Sequence, residues 1–345
     1  MQNQRNAPRL LLAAIAVATF HLHAAAIEVA PGLEVHGFGD AGYVRESVSP
    51  QSRTRAEHDL SLLGTFQVFQ GGRVWTQLAH LSPNDHMRLD LLFFDGEIDA
   101  QTTVRIGQAR LPIGVFNETR DVQSLRASAS LPLLYAGDPV AIDNALRGVT
   151  LDRRYGSTAL GSFQVEAFVA WGLVPGGERE ENARLPGGRL TWVTPVNGLT
   201  LKLSGYTGHL RDVAGPNPKP LEQAFVGSAR YEAGPWTLTA EAANSRAEDH
   251  AYGAGYIQLD RQLAPGWRAF LRAESVRDHA LDGSDEAPRR HRRIAFGPAW
   301  DAQHWGLRLE AGRNSGRLAE VPADIAPQTL RSRWNDYRVS VNYIF

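Results

Sequence analysis

Apolar and polar residues alternate along most of this chain with a period of two. In the last segment Tyr337, Val339, Val341, Tyr343 and Phe345 fall on one face, and Arg338, Ser340 and Asn342 on the other. Phe163, Val165, Ala167, Val169 and Trp171 oppose Gln164, Glu166 and Ala170. Leu199, Leu201 and Leu203 oppose Thr200, Lys202 and Ser204; Trp236, Leu238, Ala240 and Ala242 oppose Thr237, Thr239 and Glu241; Trp267, Ala269 and Leu271 oppose Arg268 and Arg272. Successive side chains of a strand point to opposite sides, so each run reads as a β-strand with one apolar face. The pattern predicts sixteen strands, over 34–44, 59–69, 73–81, 88–95, 102–110, 145–154, 161–172, 187–194, 199–207, 222–232, 235–245, 251–261, 266–276, 290–300, 304–313 and 333–345.

The connections alternate in length. Those after even-numbered strands are short and carry the residues of tight turns, as in Gln70-Gly71-Gly72, Pro195-Val196-Asn197-Gly198 and Ala264-Pro265-Gly266. Those after odd-numbered strands are mostly longer: 45–58, 111–144, 173–186, 208–221, 277–289 and 314–332. Two odd connections are short, around Ser82-Pro83-Asn84-Asp85 and Ala247-Glu248-Asp249-His250. Short turns at one end and long loops at the other are the asymmetry of a transmembrane β-barrel. An even strand count also brings both chain ends to the same side. The expected fold class is therefore all-β, an antiparallel transmembrane barrel of about sixteen strands, with fourteen or eighteen as the neighbouring counts. No stretch after the N-terminal segment has the run of about 18 apolar residues that a membrane helix needs. Trp171, Tyr231, Trp236, Trp267, Trp300, Trp305, Tyr343 and Phe345 sit near strand ends, where interfacial aromatic girdles lie. A soluble β-sandwich also alternates, but it explains neither the strand number nor these aromatics.

The longest gap between strands, Leu111–Asn144, holds Glu118, Arg120, Asp121, Arg126, Asp138 and Asp143 with three prolines, Pro112, Pro132 and Pro139. A loop of this length inside a compact domain is usually functional or disordered. The expectation is a third external loop folded into the lumen as a constriction, the alternative a surface loop.

Residues 1–26 read as a secretory signal: Arg5 and Arg9, an apolar stretch from Leu10 to Phe20, then Ala24-Ala25-Ala26. Cleavage after Ala26 leaves the barrel as 27–345, with 34 basic against 37 acidic side chains, a charge of −3. So mild an acidity argues against a nucleic-acid partner. The chain has no cysteine, hence no disulfide framework and no thiolate chemistry.

Three stretches carry a family likeness. The end, Val339-Ser340-Val341-Asn342-Tyr343-Ile344-Phe345, resembles the terminal strand of Gram-negative outer-membrane proteins, with Tyr343 and the final Phe345 as the signal read by the barrel-assembly machinery. Val35-His36-Gly37-Phe38-Gly39-Asp40-Ala41-Gly42-Tyr43 looks like the first strand of many porins. The passage Arg105-Ile106-Gly107-Gln108-Ala109-Arg110-Leu111-Pro112-Ile113-Gly114-Val115-Phe116 resembles the strand-then-loop passage of porins related to the phosphate-selective group. The resemblance to the porin superfamily implies an exported protein of the Gram-negative outer membrane, in contact with its lipid and lipopolysaccharide, as a homotrimer that passes small solutes. The chain departs from the lysine-rich linings of the phosphate-selective porins, having only Lys202 and Lys219.

If apolar positions face lipid, alternation assigns the charges that line the pore. The cations are Arg105, Arg189, Lys202, Arg230, Arg268, Arg272, Arg293, Arg308 and Arg338; the anions are Asp152, Glu166, Glu232, Glu241, Glu274 and Glu310. Loop carboxylates opposite wall arginines would set a field across the passage, and rings of charge select ions by sign. The cationic surplus predicts a weak preference for anions, with small anionic or neutral solutes as cargo. The alternative reading is that the inward charges do no more than wet the channel. The switch from Asp278, Asp282, Asp285 and Glu286 to Arg289, Arg290, Arg292 and Arg293 marks an external rim, readable as a solvated loop or as a holder of divalent ions or lipopolysaccharide phosphates. No cofactor or metal is expected. The enzyme motifs sought, a Gly-x-Ser-x-Gly elbow, His-Glu-x-x-His and a phosphate-binding glycine loop, are absent. The competing readings are a closed or plugged barrel used for binding, adhesion or envelope assembly, and, behind it, a barrel phospholipase.

Overall fold

The computed structural model describes residues 27–48, 52–81, 87–135, 145–174, 181–211, 218–247, 250–280, 289–316 and 332–345. The segment read as a signal, 1–26, lies outside them. A short strand, β1 (Ile27–Ala30), precedes sixteen longer ones: β2 (Leu33–Glu46), β3 (Arg53–Phe69), β4 (Gly72–Leu81), β5 (Met87–Asp99), β6 (Thr102–Arg110), β7 (Ala145–Thr158), β8 (Gly161–Val174), β9 (Glu181–Val193), β10 (Leu199–Arg211), β11 (Pro218–Ala233), β12 (Trp236–Ala247), β13 (His250–Ala264), β14 (Trp267–Ala280), β15 (Arg289–Asp301), β16 (Trp305–Gly316) and β17 (Arg333–Ile344). Each pairs antiparallel with its sequence neighbours. The ring closes where β17 meets β2, from Asp336 opposite Glu46 to Ile344 opposite Phe38. Closure leaves no sheet edge to lipid. Below the end of β17, β1 folds back on β2, with Ile27 opposite Val35.

The sixteen strands of the ring coincide with the sixteen read from alternation. Several run further at the loop end than the pattern showed: β3 starts at Arg53, β9 at Glu181 and β11 at Pro218, and β10 reaches Arg211. A membrane needs about 9–11 tilted residues per strand. The extra residues stand above the lipid, where the outer face has no reason to be apolar, so they carry no alternation.

The outer face is apolar over its middle band. Leu203, Phe225, Ile257, Leu271, Ile294 and Phe296 are each at least half exposed. An apolar surface of this extent is unstable in water and matches lipid. Trp236, Trp267 and Trp300 stand exposed at its short-turn border, the last two 6.5 Å apart.

No α-helix occurs among the described residues. The segment after β6 instead makes three 3-10 turns, at Asn117–Thr119, Gln123–Leu125 and Leu133–Tyr135. It leaves the wall where the ladder between β5 and β6 stops. Above Leu92–Gln108, the last pair of that ladder, Gln108 Nε2 donates to the Asp90 carbonyl at 2.8 Å, and Asp90 is the extra residue of a β-bulge facing β4. Gly107, with φ +129°, sits at this departure, and a Cβ there would lie 2.4 Å from the Leu92 carbonyl oxygen. Gly107→Val is expected to lower barrel stability by about 1–3 kcal/mol, the cost of a side chain in a glycine-only backbone region. A urea midpoint equal to that of the unaltered chain would contradict this.

Candidate functional site

The loop that follows β6 lies inside the barrel. Its contacts prove the placement, because strands eight apart in a ring of sixteen face one another. Asp121 accepts from Gln77 on β4 at 3.3 Å, while Val115 donates to Glu241 on β12, directly across, at 2.8 Å. Glu118 pairs with Arg189 on β9 at 2.5 Å, and Gln123 accepts from Ser340 on the opposing β17 at 2.7 Å. A segment that reaches both ends of two diameters passes through the lumen.

One side of the loop is fixed by apolar packing. Leu111, Ile113, Leu134 and Tyr135 are almost fully buried against Leu146, Phe168, Leu185, Tyr206, Val226 and Tyr256 of the inner wall. These wall residues occupy inward positions, which alternation had reserved for polar groups.

Polar anchoring is centred on two carboxylate sites. Glu241 accepts from Val115 N–H, Tyr135 O–H, Tyr256 O–H and Ser228 O–H, all at 2.5–2.8 Å. Four donors fill the acceptor sites of one carboxylate. Further along, Leu133 N–H donates to Glu274 at 2.6 Å and Ser130 N–H to Glu310 at 3.0 Å. Arg272 donates to Glu274, Gln258, Ser128 Oγ and the Ser130 and Leu131 carbonyls. Arg293 joins Glu274, Glu310 and Asp336 at 2.5–3.0 Å. Arg268 and Arg308 donate to the Ser124 and Arg126 carbonyls and share Asp301.

This placement changes the picture of the lining. Arg272 and Arg308 are fully buried, and Arg293, Glu241, Glu274 and Glu310 are nearly so. They point inward, but the loop covers them; they hold the loop rather than meet water. Their partners are chiefly wall carboxylates and loop carbonyls, not loop carboxylates.

Water-facing charge lies elsewhere. Glu118 is exposed at the loop surface, 3.6 Å from the half-buried Arg105 and 2.5 Å from Arg189, which is itself buried and pairs with the buried Glu166. Lys202 lies near enough to feel both Arg189 and Glu118. Asp152 accepts from Gln164 at 2.7 Å. Arg230 is exposed and bonded to Glu232 at 2.7 Å. Arg338 is half-buried within 4 Å of Glu46, Glu57 and Asp336. Of the loop residues, Asp121 pairs with Arg110 at 2.6 Å, and Arg126 donates to the Arg120 carbonyl at 2.7 Å. Asp138 and Asp143 lie outside the described residues.

Titration follows these contacts. Burial alone would raise the Asp121 carboxyl, but Arg110 and Arg120 beside it hold it below the ordinary carboxylate range. Burial draws the Arg126 guanidinium down to about 10 against the pull of Asp40 and Asp121, leaving it charged at neutral pH. Burial and the Glu241 carboxylate push the Tyr135 hydroxyl well above its usual value, so it stays a donor.

Alternation does not single out Asp90, Arg110, Asp301 or Asp336 as partners, nor Tyr135 and Tyr256 as donors. The available signal was parity: Asp336 shares the inward register of Arg338, and Asp301 that of Arg293.

No protein-family model and no curated protein matches the sequence. Solved structures do match in fold. An anion-selective porin from Comamonas acidovorans superposes with a TM-score of 0.63 at 12% identity, covering 91% of this chain and 99% of that one. The outer membrane channel DcaP of Acinetobacter baumannii gives 0.62 at 11% identity, over 93% and 100%. OmpF of Salmonella typhi gives 0.61 at 13%, over 92% and 100%. The fold is that of the outer-membrane porins. Within this fold the third loop between ring strands enters the lumen.

Proposed function

We propose that the chain is an outer-membrane porin through which small hydrophilic solutes and ions diffuse passively, with a weak preference for anions. The observation that carries this reading is a closed sixteen-stranded ring whose lumen holds water-facing charge beside an anchored loop. A ring of this size leaves an aqueous passage. Residues 111–144 act as its constriction. The selectivity is weak because exposed lumen charges come as pairs, such as Arg230 with Glu232. Its sign is read from the inward wall positions, nine cations against six anions, since the cluster of Arg105, Arg189 and Lys202 with Glu118, Glu166 and Asp95 is balanced. The anion-selective porin of similar fold is consistent with that sign.

Proteoliposomes carrying the refolded chain should swell in isosmotic small sugars; no swelling with folded protein would overturn the reading. Glu118→Gln should raise the anion-to-cation permeability ratio roughly twofold, since a unit charge about 10 Å away across water is worth about 0.4 kcal/mol. A reversal potential that stays put would remove Glu118 from the passage.

A homotrimer accords with the trimer form solved for OmpT of Vibrio cholerae, a protein of similar fold. Tyr343 and Phe345 serve as the assembly signal. A closed barrel used for binding or assembly is the second reading, and the loop's reach to both ends of two diameters favours it.

A further inference from the structure

Several of the aromatic rings that point into this barrel are covered: Phe168, Tyr206 and Tyr256 lie under the apolar side of the loop. Trp75 on β4 and Phe93 on β5 do not belong to that packing and are half-buried. Trp75 shares the register of Gln77, which reaches Asp121 of the loop, so it faces the lumen. Phe93 stands directly opposite Trp75 in the ladder and shares that face. The two rings run nearly parallel, 14° apart in plane and 6.0 Å between centres. A guanidinium lies against each, Arg73 at 5.7 Å from the Trp75 ring and Arg105 at 4.9 Å from the Phe93 ring. The Trp75 indole N–H is buried with no acceptor among the described residues. Buried tryptophans usually place that donor, so this ring is not held in the wall by its polar edge.

Beside Trp75, at the short-turn end, a cavity of about 500 Å³ lies between the turn joining β3 to β4 and the turn joining β5 to β6. Small-molecule sites run from about 300 to 1,000 Å³. The charged groups lining it are Asp95, Glu97, Asp99, Arg73 and Arg154. Arg105 reaches Asp95 at 4.0 Å. Three guanidiniums therefore meet three carboxylates, and the site has no net charge. It offers rigid donors and carboxylate acceptors side by side. Arg105 also lies 3.6 Å from Glu118 of the loop, which places the cavity on the short-turn side of the constriction.

We propose that this cavity binds a neutral saccharide, with one sugar ring lying on Trp75 and its hydroxyls among the carboxylates and guanidiniums. A pyranose has a flat C–H face that packs on an aromatic ring, and a rim of hydroxyls that both donate and accept. An aromatic acid would match the rings but meet three carboxylates. An organic cation would find guanidiniums already against both rings. The assignment rests on the porin reading above and deepens it, because it selects one class among small hydrophilic solutes.

The test is saturation-transfer NMR of the refolded full chain in a detergent without a sugar headgroup. Maltose is the probe; sorbitol, which has the hydroxyls but no ring face, and benzoate are the comparators. Maltose should bind at least tenfold more tightly than either. Trp75→Ala should weaken maltose binding at least tenfold, whereas Trp75→Phe, which keeps an aromatic face, should stay within about threefold of the unaltered chain. Glu97→Gln, at an exposed position that the fold does not depend on, should weaken it about threefold and tests the site independently of the wall packing. Heat-shifted gel mobility verifies folding of each variant. Sorbitol binding as tightly as maltose would overturn the stacking assignment, and benzoate binding more tightly would replace the saccharide by an aromatic acid. Unaltered maltose affinity in folded Trp75→Ala or in Glu97→Gln would remove the ligand from this cavity. Single-channel conductance is read on the same samples. A barrel that binds maltose without conducting would refute the porin reading and leave the site standing; one that conducts without binding maltose would refute the site alone.

Discussion

Replacing Arg272 by alanine is expected to destabilise the folded barrel by about 3–5 kcal/mol, the usual cost of removing one partner from a buried charge network. The side chain has no exposure, and it ties β14 to the loop through Ser128, Ser130 and Leu131 while pairing with Glu274. Its loss leaves two loop carbonyls short of a donor and tips the Glu274–Glu310–Arg293–Asp336 cluster toward excess negative charge. Lysine would restore the charge but not the fork, because an ammonium cannot hold Glu274 and the loop carbonyls in one plane, so Arg272→Lys should recover only part of the loss. Urea-induced unfolding in detergent, followed by tryptophan fluorescence, measures it. An unchanged midpoint for Arg272→Ala would show that the loop is not held through this site.

Excising Asn117–Ala136 is expected to raise single-channel conductance roughly twofold or more. The loop reaches across two diameters, and a ring of sixteen strands without it has an open aqueous cross-section. The ring itself should survive, because its ladders run strand to strand and do not pass through the loop. The excision does uncover the apolar inner patch of Phe168, Leu185, Tyr206 and Tyr256, so some loss of thermal stability should accompany it. Circular dichroism and heat-shifted mobility verify folding first. A folded variant with unaltered conductance would mean that the loop lies clear of the passage.

The strand count was legible because lipid imposes one simple rule on every strand it touches. Leu199, Leu201 and Leu203, or Trp267, Ala269 and Leu271, announce their face without reference to any partner. The rule stops at the membrane border, so Arg53–His58 of β3 and Glu181–Pro186 of β9 escaped it. The lumen was legible in direction but not in environment. Parity says that Arg272, Arg308 and Arg230 all point inward; whether a loop then covers them depends on where that loop lands. Arg272 and Arg308 lie under backbone carbonyls, a group every residue carries and no sequence marks. Phe168 shows what a closer reading offers. It stands in the inward register between Glu166 and Ala170, and an apolar residue there, set against a loop rich in Leu111, Ile113, Leu131, Leu133 and Leu134, points to a packed interior. Two loop carboxylates stand against arginines of the wall, Glu118 beside Arg189 and Arg105 and Asp121 beside Arg110.

The central claim is that this barrel conducts. Its most direct test is single-channel recording of the refolded chain, residues 27–345, in a planar bilayer under a salt gradient. Steady open steps with a small anion-favouring reversal potential are the predicted result. Correctly folded protein that inserts and shows no conductance would contradict it, and would establish the lumen as sealed by the loop.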